Sequence, residues 1–213
     1  MRHIEAVVFD MDGVLVDARE WHYIALNKAL GLFGYAISLE EHETDFDGLP
    51  TRKKLEMLSA RKGLPNQMHE FLNALKQKYT VDLIHKFCRP TFKHEYALKQ
   101  LRAEKYKIGL ASNSIGATIE LMMKKTALER FLDEIISAEE VTVGKPSPEI
   151  YEKMFEKLAV APCNVIVIED NENGIKAATE SGAHVLRVSD PSEVDIERIR
   201  AFILEVEAKN CNP

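Results

Sequence analysis

Short apolar runs that stop abruptly at polar residues alternate along the chain with longer stretches of helical periodicity. Ile4 to Phe9 ends at Asp10, Ile108 to Ala111 ends at Ser112, and Val165 to Ile168 ends at Glu169 and Asp170. The weaker pair Ile135 and Ile136 precedes Ser137, and His184 to Val188 forms a fifth run. Each run is short, partly β-branched and apolar at successive positions. Both faces of such a strand expect burial, which suits a parallel sheet better than a half-exposed antiparallel one. Between the runs, helical spacing predicts helices over Phe92 to Glu104, Ile115 to Lys125, Pro148 to Leu158, Gly174 to Ser181 and Glu193 to Lys209. Ser147 is placed to cap the third of these with Pro148 at its first position, and Gly182 to end the fourth. Strands alternating with helices predict βαβ units, hence an α/β fold with a doubly wound, mostly parallel sheet.

Residues 18–88 break this rhythm. Tyr23, Leu26, Leu30 and Phe33 share one helical face, and Met68, Phe71, Leu72, Leu75 and Tyr79 form a second stripe. A further helix is expected around Leu55 and Leu58, after Gly48-Leu49-Pro50. So long a connection between the first two strands exceeds a single crossover helix. It predicts an all-helical inserted domain over 18–88, with the α/β core formed by 1–17 and 89–213. No internal repeat or low-complexity tract interrupts either part.

Composition narrows the classes. The chain has 213 residues, 46% hydrophobic and 29% charged, the balance of a soluble globular protein. Its formal charge of −6 argues against general nucleic-acid binding, which needs a basic face. No apolar run approaches the roughly 20 residues needed to cross a bilayer, and MRHIEAVVFD is too short in its apolar part for a secretory signal. Cys88, Cys163 and Cys211 are odd in number and lack metal-ligand spacing, which fits free thiols in a reducing cytoplasm.

Chemistry collects at the strand ends, where open α/β sheets bind ligands. Asp10 and Asp12 stand two apart, with Gly13 allowing a tight turn. With Glu169 and Asp170 they make four carboxylates at one edge. Such a cluster repels itself unless a cation joins it, and a few hard oxygen ligands point to Mg²⁺ with a phosphate as co-ligand. Lys145, fixed between Gly144 and Pro146, offers a compact positive charge to a phosphate oxygen. Ser112 and Asn113 can add a hydroxyl and a backbone N–H. Taken singly these features have plainer readings: a capping acid pair, a surface lysine in a proline-rich turn, a polar helix entry.

In order and spacing, four segments resemble the motifs of the haloacid dehalogenase superfamily, in the subclass with a helical cap inserted after the first motif. They are FDMDGVLVD at Phe9 to Asp17, ASNS at Ala111 to Ser114, GKPSPEIY at Gly144 to Tyr151 and VIEDNENG at Val167 to Gly174. The resemblance implies a Mg²⁺-dependent phosphatase that acts on a small phosphorylated metabolite through an aspartyl-phosphate. By position it implies Asp10 as nucleophile and Asp12 as general acid and base. Asp10, Met11, Asp12, Ser112, Asn113 and Lys145 would surround the phosphate. The metal would be held by the Asp10 side chain, the Asp12 carbonyl and Asp170, with Glu169 a direct or water-mediated neighbour. Two departures stand out: Asn171 where relatives commonly have serine, and Pro90-Thr91-Phe92-Lys93 where relatives often show Pro-Gly.

The cap is expected to read the leaving group by lid closure. His22 after the crossing point and Arg52 after Pro50 are its candidate substrate contacts, while Trp21 fits packing better. The competing activity is that of a hexose-phosphate mutase of the β-phosphoglucomutase type. A non-catalytic phosphate-binding regulator is disfavoured because Asp10 and Lys145 are both present, and metal-free dehalogenation because it has no use for the Glu169-Asp170 pair. A monomer or small homo-oligomer is expected, with neither nucleic acid nor membrane as partner.

Overall fold

The computed structural model describes residues 3–210. The chain divides into two compact units, one of 1–17 with 89–213 and one of 18–88. Five parallel strands build the first: β1 (Ala6–Phe9), β2 (Lys107–Ala111), β3 (Glu134–Ile136), β4 (Val165–Glu169) and β5 (His184–Arg187), in the spatial order β3-β2-β1-β4-β5. The described helices are, in chain order, α1 (Arg19–Gly31), α2 (Leu39–Glu41), α3 (Thr51–Lys62), α4 (His69–Phe87), α5 (Phe92–Ala103), α6 (Gly116–Thr126), α7 (Glu149–Leu158), α8 (Glu172–Glu180) and α9 (Ile196–Asn210).

The fold class is the one expected from the apolar pattern. From β1 the chain winds outward through β2 and β3 and then returns to β4 on the other side of β1. The reversal makes β1 the switch point, where α/β sheets open a crevice beyond the carboxyl ends of their strands. Register keeps those ends level: Phe9 pairs with Leu110 on one side and with Ile168 on the other. All four residues of β1 and all five of β4 are buried, which is why these runs are apolar on both faces.

Side-chain alternation assigns the two faces. Ala6 and Val8 of β1, Ala111 of β2 and Val165 and Val167 of β4 pack with Ile150, Tyr151, Met154, Phe155 and Leu158 of α7 and Ala177 and Ala178 of α8. Gly109 of β2 lies on the same face, and a Cβ there would come within 2.6 Å of the Met154 sulfur. The intervening residues Val7, Phe9, Ile108 and Leu110 face the opposite layer.

Element ends depart from the sequence expectation in a few places. β1 starts at Ala6 rather than Ile4, although Glu5 already hydrogen-bonds Asn164 and Lys107 through its backbone. β4 runs one residue further and includes Glu169. α7 begins at Glu149, so Pro148 rather than Ser147 stands at the cap position; the Ser147 hydroxyl still accepts from the Glu149 N–H at 3.4 Å. α8 starts two residues early because the Asn171 side chain accepts from the Asn173 N–H at 2.9 Å and caps it. The last helix begins at Ile196, after a separate turn over Pro191–Glu193.

The 18–88 unit is helical throughout its described regular elements. Leu26, Ala29, Leu30, Ile37, Phe46, Leu55, Leu58, Leu64 and Leu72 form its buried cluster, flanked by Tyr23, Leu75 and Tyr79. Two members of the expected stripes stay outside. α1 ends at Gly31, so Phe33 falls in the following turn, and Phe71 is rotated by one residue from the buried Leu72. Both are exposed and meet edge to face, centroids 5.9 Å apart. The buried line of α4 is Leu72, Lys76, Thr80 and Ile84, at four-residue spacing. Trp21 stacks on Phe87, centroids 6.3 Å apart.

No described helix is long and apolar enough to cross a membrane. Cys88 and Cys163 carry free thiols, one buried and one exposed, while Cys211 lies outside the described residues.

His42 is buried in the helical unit, and its pKa is lowered to about 4, by burial first and then by the charge of Lys54, against the opposing pull of Asp47. A base with a depressed folded-state pKa favours folding above its unfolded value near 6.5, and that contribution is lost as pH falls toward about 4. The shift corresponds to roughly 3 kcal/mol at its upper bound. The melting temperature of the wild type should therefore fall between pH 6.5 and 4 more steeply than that of His42→Gln. Parallel curves for the two proteins would show that His42 is not the titrating group.

Candidate active site

Strand parity brings the site together. Asp10 follows Val8 on the α7 face of β1, and Glu169 follows Val167 on the same face of β4. Both carboxylates therefore turn toward α7 and the loop before it, and Lys145 meets them there. Its ammonium donates to Asp10 Oδ1 at 2.5 Å, to Glu169 Oε1 at 2.6 Å and to the Ala111 carbonyl at 2.8 Å. All three donor positions of the amine are used. Asp10, Lys145 and Glu169 are each under a tenth exposed, so this is a buried, charge-assisted network.

Tyr151 closes the network from α7. Its fully buried hydroxyl donates to Glu169 Oε1, and its ring lies 4.9 Å from the Lys145 ammonium. The other Glu169 oxygen accepts from the Asp170 N–H at 3.2 Å. Gly174 in α8 leaves room for this carboxylate: a Cβ there would stand 2.0 Å from Glu169 Oε1. Glu169 and Asp170, adjacent in sequence, thus have separate surroundings. One is the last residue of a strand and points inward, and the other lies beyond it and is partly exposed.

Asp12 sits in a tight loop. Gly13 adopts a φ of +91° and its N–H donates to the Val16 carbonyl at 2.7 Å, while the Met11 carbonyl accepts from Leu15 and Val16. The Met11 side chain is fully buried, so only its backbone can serve a ligand. Asp12 Oδ2 accepts from the Ser114 hydroxyl at 2.9 Å. The Ser114 N–H in turn donates to Ser112 Oγ at 3.1 Å, which fixes the buried Ser112 hydroxyl. The Asn113 amide accepts from the Lys145 N–H at 3.0 Å and donates to the Lys145 carbonyl at 3.3 Å.

Asp10, Glu169 and Asp170 each offer a carboxylate oxygen, all within 4.8 Å of one another. Burial raises the Asp10 pKa well above the usual carboxylate range; Lys145 opposes this, while Glu169, Asp170 and Asp12 add to it. For Lys145, burial works against the charged form, but the pull of Asp10 and Glu169 outweighs it and the pKa rises. The lysine is therefore a permanent cation. Burial and Glu169 likewise push the Tyr151 hydroxyl up, so it remains a neutral donor.

Of the residues singled out in the sequence, Asp10, Asp12, Ser112, Asn113, Lys145, Glu169 and Asp170 are linked by these contacts. His22 and Arg52 belong to the helical unit. There Lys76 donates to His22 Nδ1 at 3.1 Å, and Arg52, with its side chain 89% exposed, pairs with Glu56 at 3.3 Å on α3. Sequence reasoning did not single out Ser114, Tyr151 or Gly174. Each lies inside a quoted motif, and the signal available was the parity that sends Glu169 toward α7 and demands a partner for it there.

Residues 7–188 match the family described as haloacid dehalogenase-like hydrolase. A phosphorylated carbohydrates phosphatase of Thermotoga maritima is 28% identical over 182 residues, covering 84% of this chain and 82% of its own. A Drosophila melanogaster protein named as a probable pseudouridine-5′-phosphatase is 30% identical over 200 residues, covering 90% and 84%. Among solved structures, the β-phosphoglucomutase of Clostridium difficile superposes with a TM-score of 0.84 at 25% identity, covering 96% of this chain and 99% of its own. With the family match spanning both the first strand and the last, the chain belongs to the haloacid dehalogenase-like hydrolases.

Proposed function

We propose that the chain is a Mg²⁺-dependent phosphatase that acts on a small phosphorylated metabolite through a covalent phosphoryl group on Asp10. The carrying observation is the Lys145 ammonium held against both Asp10 and Glu169 in a buried site. A carboxylate nucleophile must be ionised and must not repel an incoming phosphate, and the Lys145 ammonium works toward both, against the burial that raises the Asp10 pKa. The named phosphatases among the relatives support the substrate class.

In this reading an Asp10 oxygen attacks phosphorus while the bond to the leaving oxygen breaks. Asp12 gives that oxygen its proton. Asp12 then takes a proton from water as the water oxygen bonds to phosphorus and the Asp10–phosphorus bond breaks, which frees inorganic phosphate. Ser114 orients the Asp12 carboxyl for both transfers, and the Ser112 hydroxyl and Lys145 hold the phosphoryl oxygens. Two acids in unlike surroundings take opposite roles: Asp10 lies against a cation, and Asp12 against a hydroxyl donor.

The donor set fits Mg²⁺. Three carboxylate oxygens stand close together, and the charges of Glu169 and Asp170 add to burial in raising the Asp10 pKa. Asp10 and Asp170 would be its side-chain ligands, with the Asp12 carbonyl. Glu169, with its oxygens engaged by Lys145, Tyr151 and the Asp170 N–H, would stand behind them. When bound, the ion neutralises the carboxylates and polarises the phosphoryl group. In this reading the protein acts in the cytoplasm as a monomer or small homo-oligomer. A second reading, hexose-phosphate mutase, draws support from the superposition on β-phosphoglucomutase. There the acceptor is a sugar hydroxyl in place of water.

Asp10→Asn should retain the native circular dichroism spectrum and lose at least about 10³-fold in kcat. Joint loss of fold and activity would remove the ground for calling Asp10 the nucleophile. Chelator should abolish phosphate release and Mg²⁺ restore it, and Mg²⁺ at about 100 times its Kd should stabilise the fold by about 2.7 kcal/mol. A melting temperature indifferent to saturating Mg²⁺ would count against the metal site. With β-glucose 1-phosphate and a bisphosphate primer, free phosphate is the expected product; isomerised hexose phosphate would instead establish the mutase.

A further inference from the structure

Lys145 has a long flexible stem, yet its ammonium meets three acceptors at once in a buried site. The preceding loop has no regular secondary structure to hold the backbone of this residue. The Asn113 amide supplies that hold. It accepts from the Lys145 N–H at 3.0 Å and donates to the Lys145 carbonyl at 3.3 Å, so one side chain grips both polar groups of one residue as a neighbouring strand would. Room for the grip comes from Gly144. A Cβ there would stand 2.5 Å from Asn113 Oδ1 and 3.3 Å from Asn113 Cγ.

The grip also ties two loops together. Asn113 lies between Ser112, whose hydroxyl enters the site, and Ser114, whose hydroxyl holds Asp12. The tripeptide after β2 thus reaches Lys145 and Asp12 from consecutive positions. We infer that Asn113 is a positioning residue for Lys145: its side-chain amide, admitted by Gly144, sets where the lysine ammonium stands relative to Asp10. The inference rests on the phosphatase reading of the site for its consequence in rate. Misplacement of a reacting group by about 1 Å costs about 10²-fold.

A double-mutant cycle tests it, with the full-length protein in Mg²⁺. Wild type, Asn113→Ala, Lys145→Ala and the double variant are compared for kcat and KM in phosphate release, and for inorganic phosphate affinity by calorimetry. Asn113→Asp and Gly144→Ala are carried in parallel: the first keeps the size of the side chain, and the second sets a Cβ against the Asn113 amide. Asn113→Ala should lower kcat by about 10- to 100-fold with KM changed less than about threefold, and should weaken phosphate binding. Added to Lys145→Ala, it should cost nothing more in either measurement, because the residue it acts through is already gone. Gly144→Ala should reproduce the loss with Asn113 intact.

An Asn113→Ala protein with wild-type kcat overturns the inference. So does a full additional loss in the double variant by calorimetry, since that is what a general loop-stabilising role gives. If Asn113→Ala does not fold, Asn113→Asp and Gly144→Ala decide the matter by the same two readouts. If Lys145→Ala itself keeps wild-type rate and phosphate affinity, it is the phosphatase reading of the site that fails.

Discussion

Everything in the catalytic unit is arranged around one buried ammonium. Lys145 lies where two carboxylates and a carbonyl converge, and removing a partner from such a group typically costs 3–5 kcal/mol, because an uncompensated charge is left behind. The surrounding sequence can be understood as the conditions for tolerating it. Glu169 must end a strand with inward parity, Gly174 must lack a side chain, and Tyr151 must place a neutral hydroxyl on the same Glu169 oxygen that Lys145 meets. The net result is a site with one fixed cation beside three clustered carboxylates, those of Asp10, Glu169 and Asp170.

Much of this could be read before any coordinates. Runs apolar on both faces and broken at polar residues mark strands β1, β2 and β4 and the ends that carry Asp10, Ser112 and Glu169. The long helical interval gave two units with boundaries at 17 and 88. What the pattern could not carry was direction. Asp12 and Ser114, or Asn113 and Lys145, are far apart in sequence, and their pairing depends on the register of three strands. Phe33 and Phe71 were misplaced for a simpler reason. Helical spacing continues two residues past Gly31 to Phe33, and Phe71 stands one residue beside the true stripe, where apolar character alone cannot separate a buried face from a neighbouring exposed one.

The helical unit has its own polar interior. Lys54, Lys76 and His42 are buried there together with apolar side chains, and Lys76 reaches His22. Polar groups in such a position cost desolvation energy, so their presence is a constraint that packing alone would not impose. His42 is held neutral by the burial that surrounds it and by the nearby Lys54 charge. The other unit treats its buried lysine the opposite way: the pull of Asp10 and Glu169 holds the Lys145 ammonium charged.

The central position of β1 has a consequence for the order in which the chain can fold. Ala6–Phe9 comes before both of its partners in the chain, Lys107–Ala111 and Val165–Glu169. During synthesis this apolar strand waits, with both edges unsatisfied, for about half of the chain to follow. The cluster of the helical unit draws on residues from Tyr23 to Tyr79, all of which are available before either partner strand. A sheet whose central strand comes before both of its neighbours in the chain leaves that strand an open template longer than any other of its strands, and closing the sheet is a non-local, slow step.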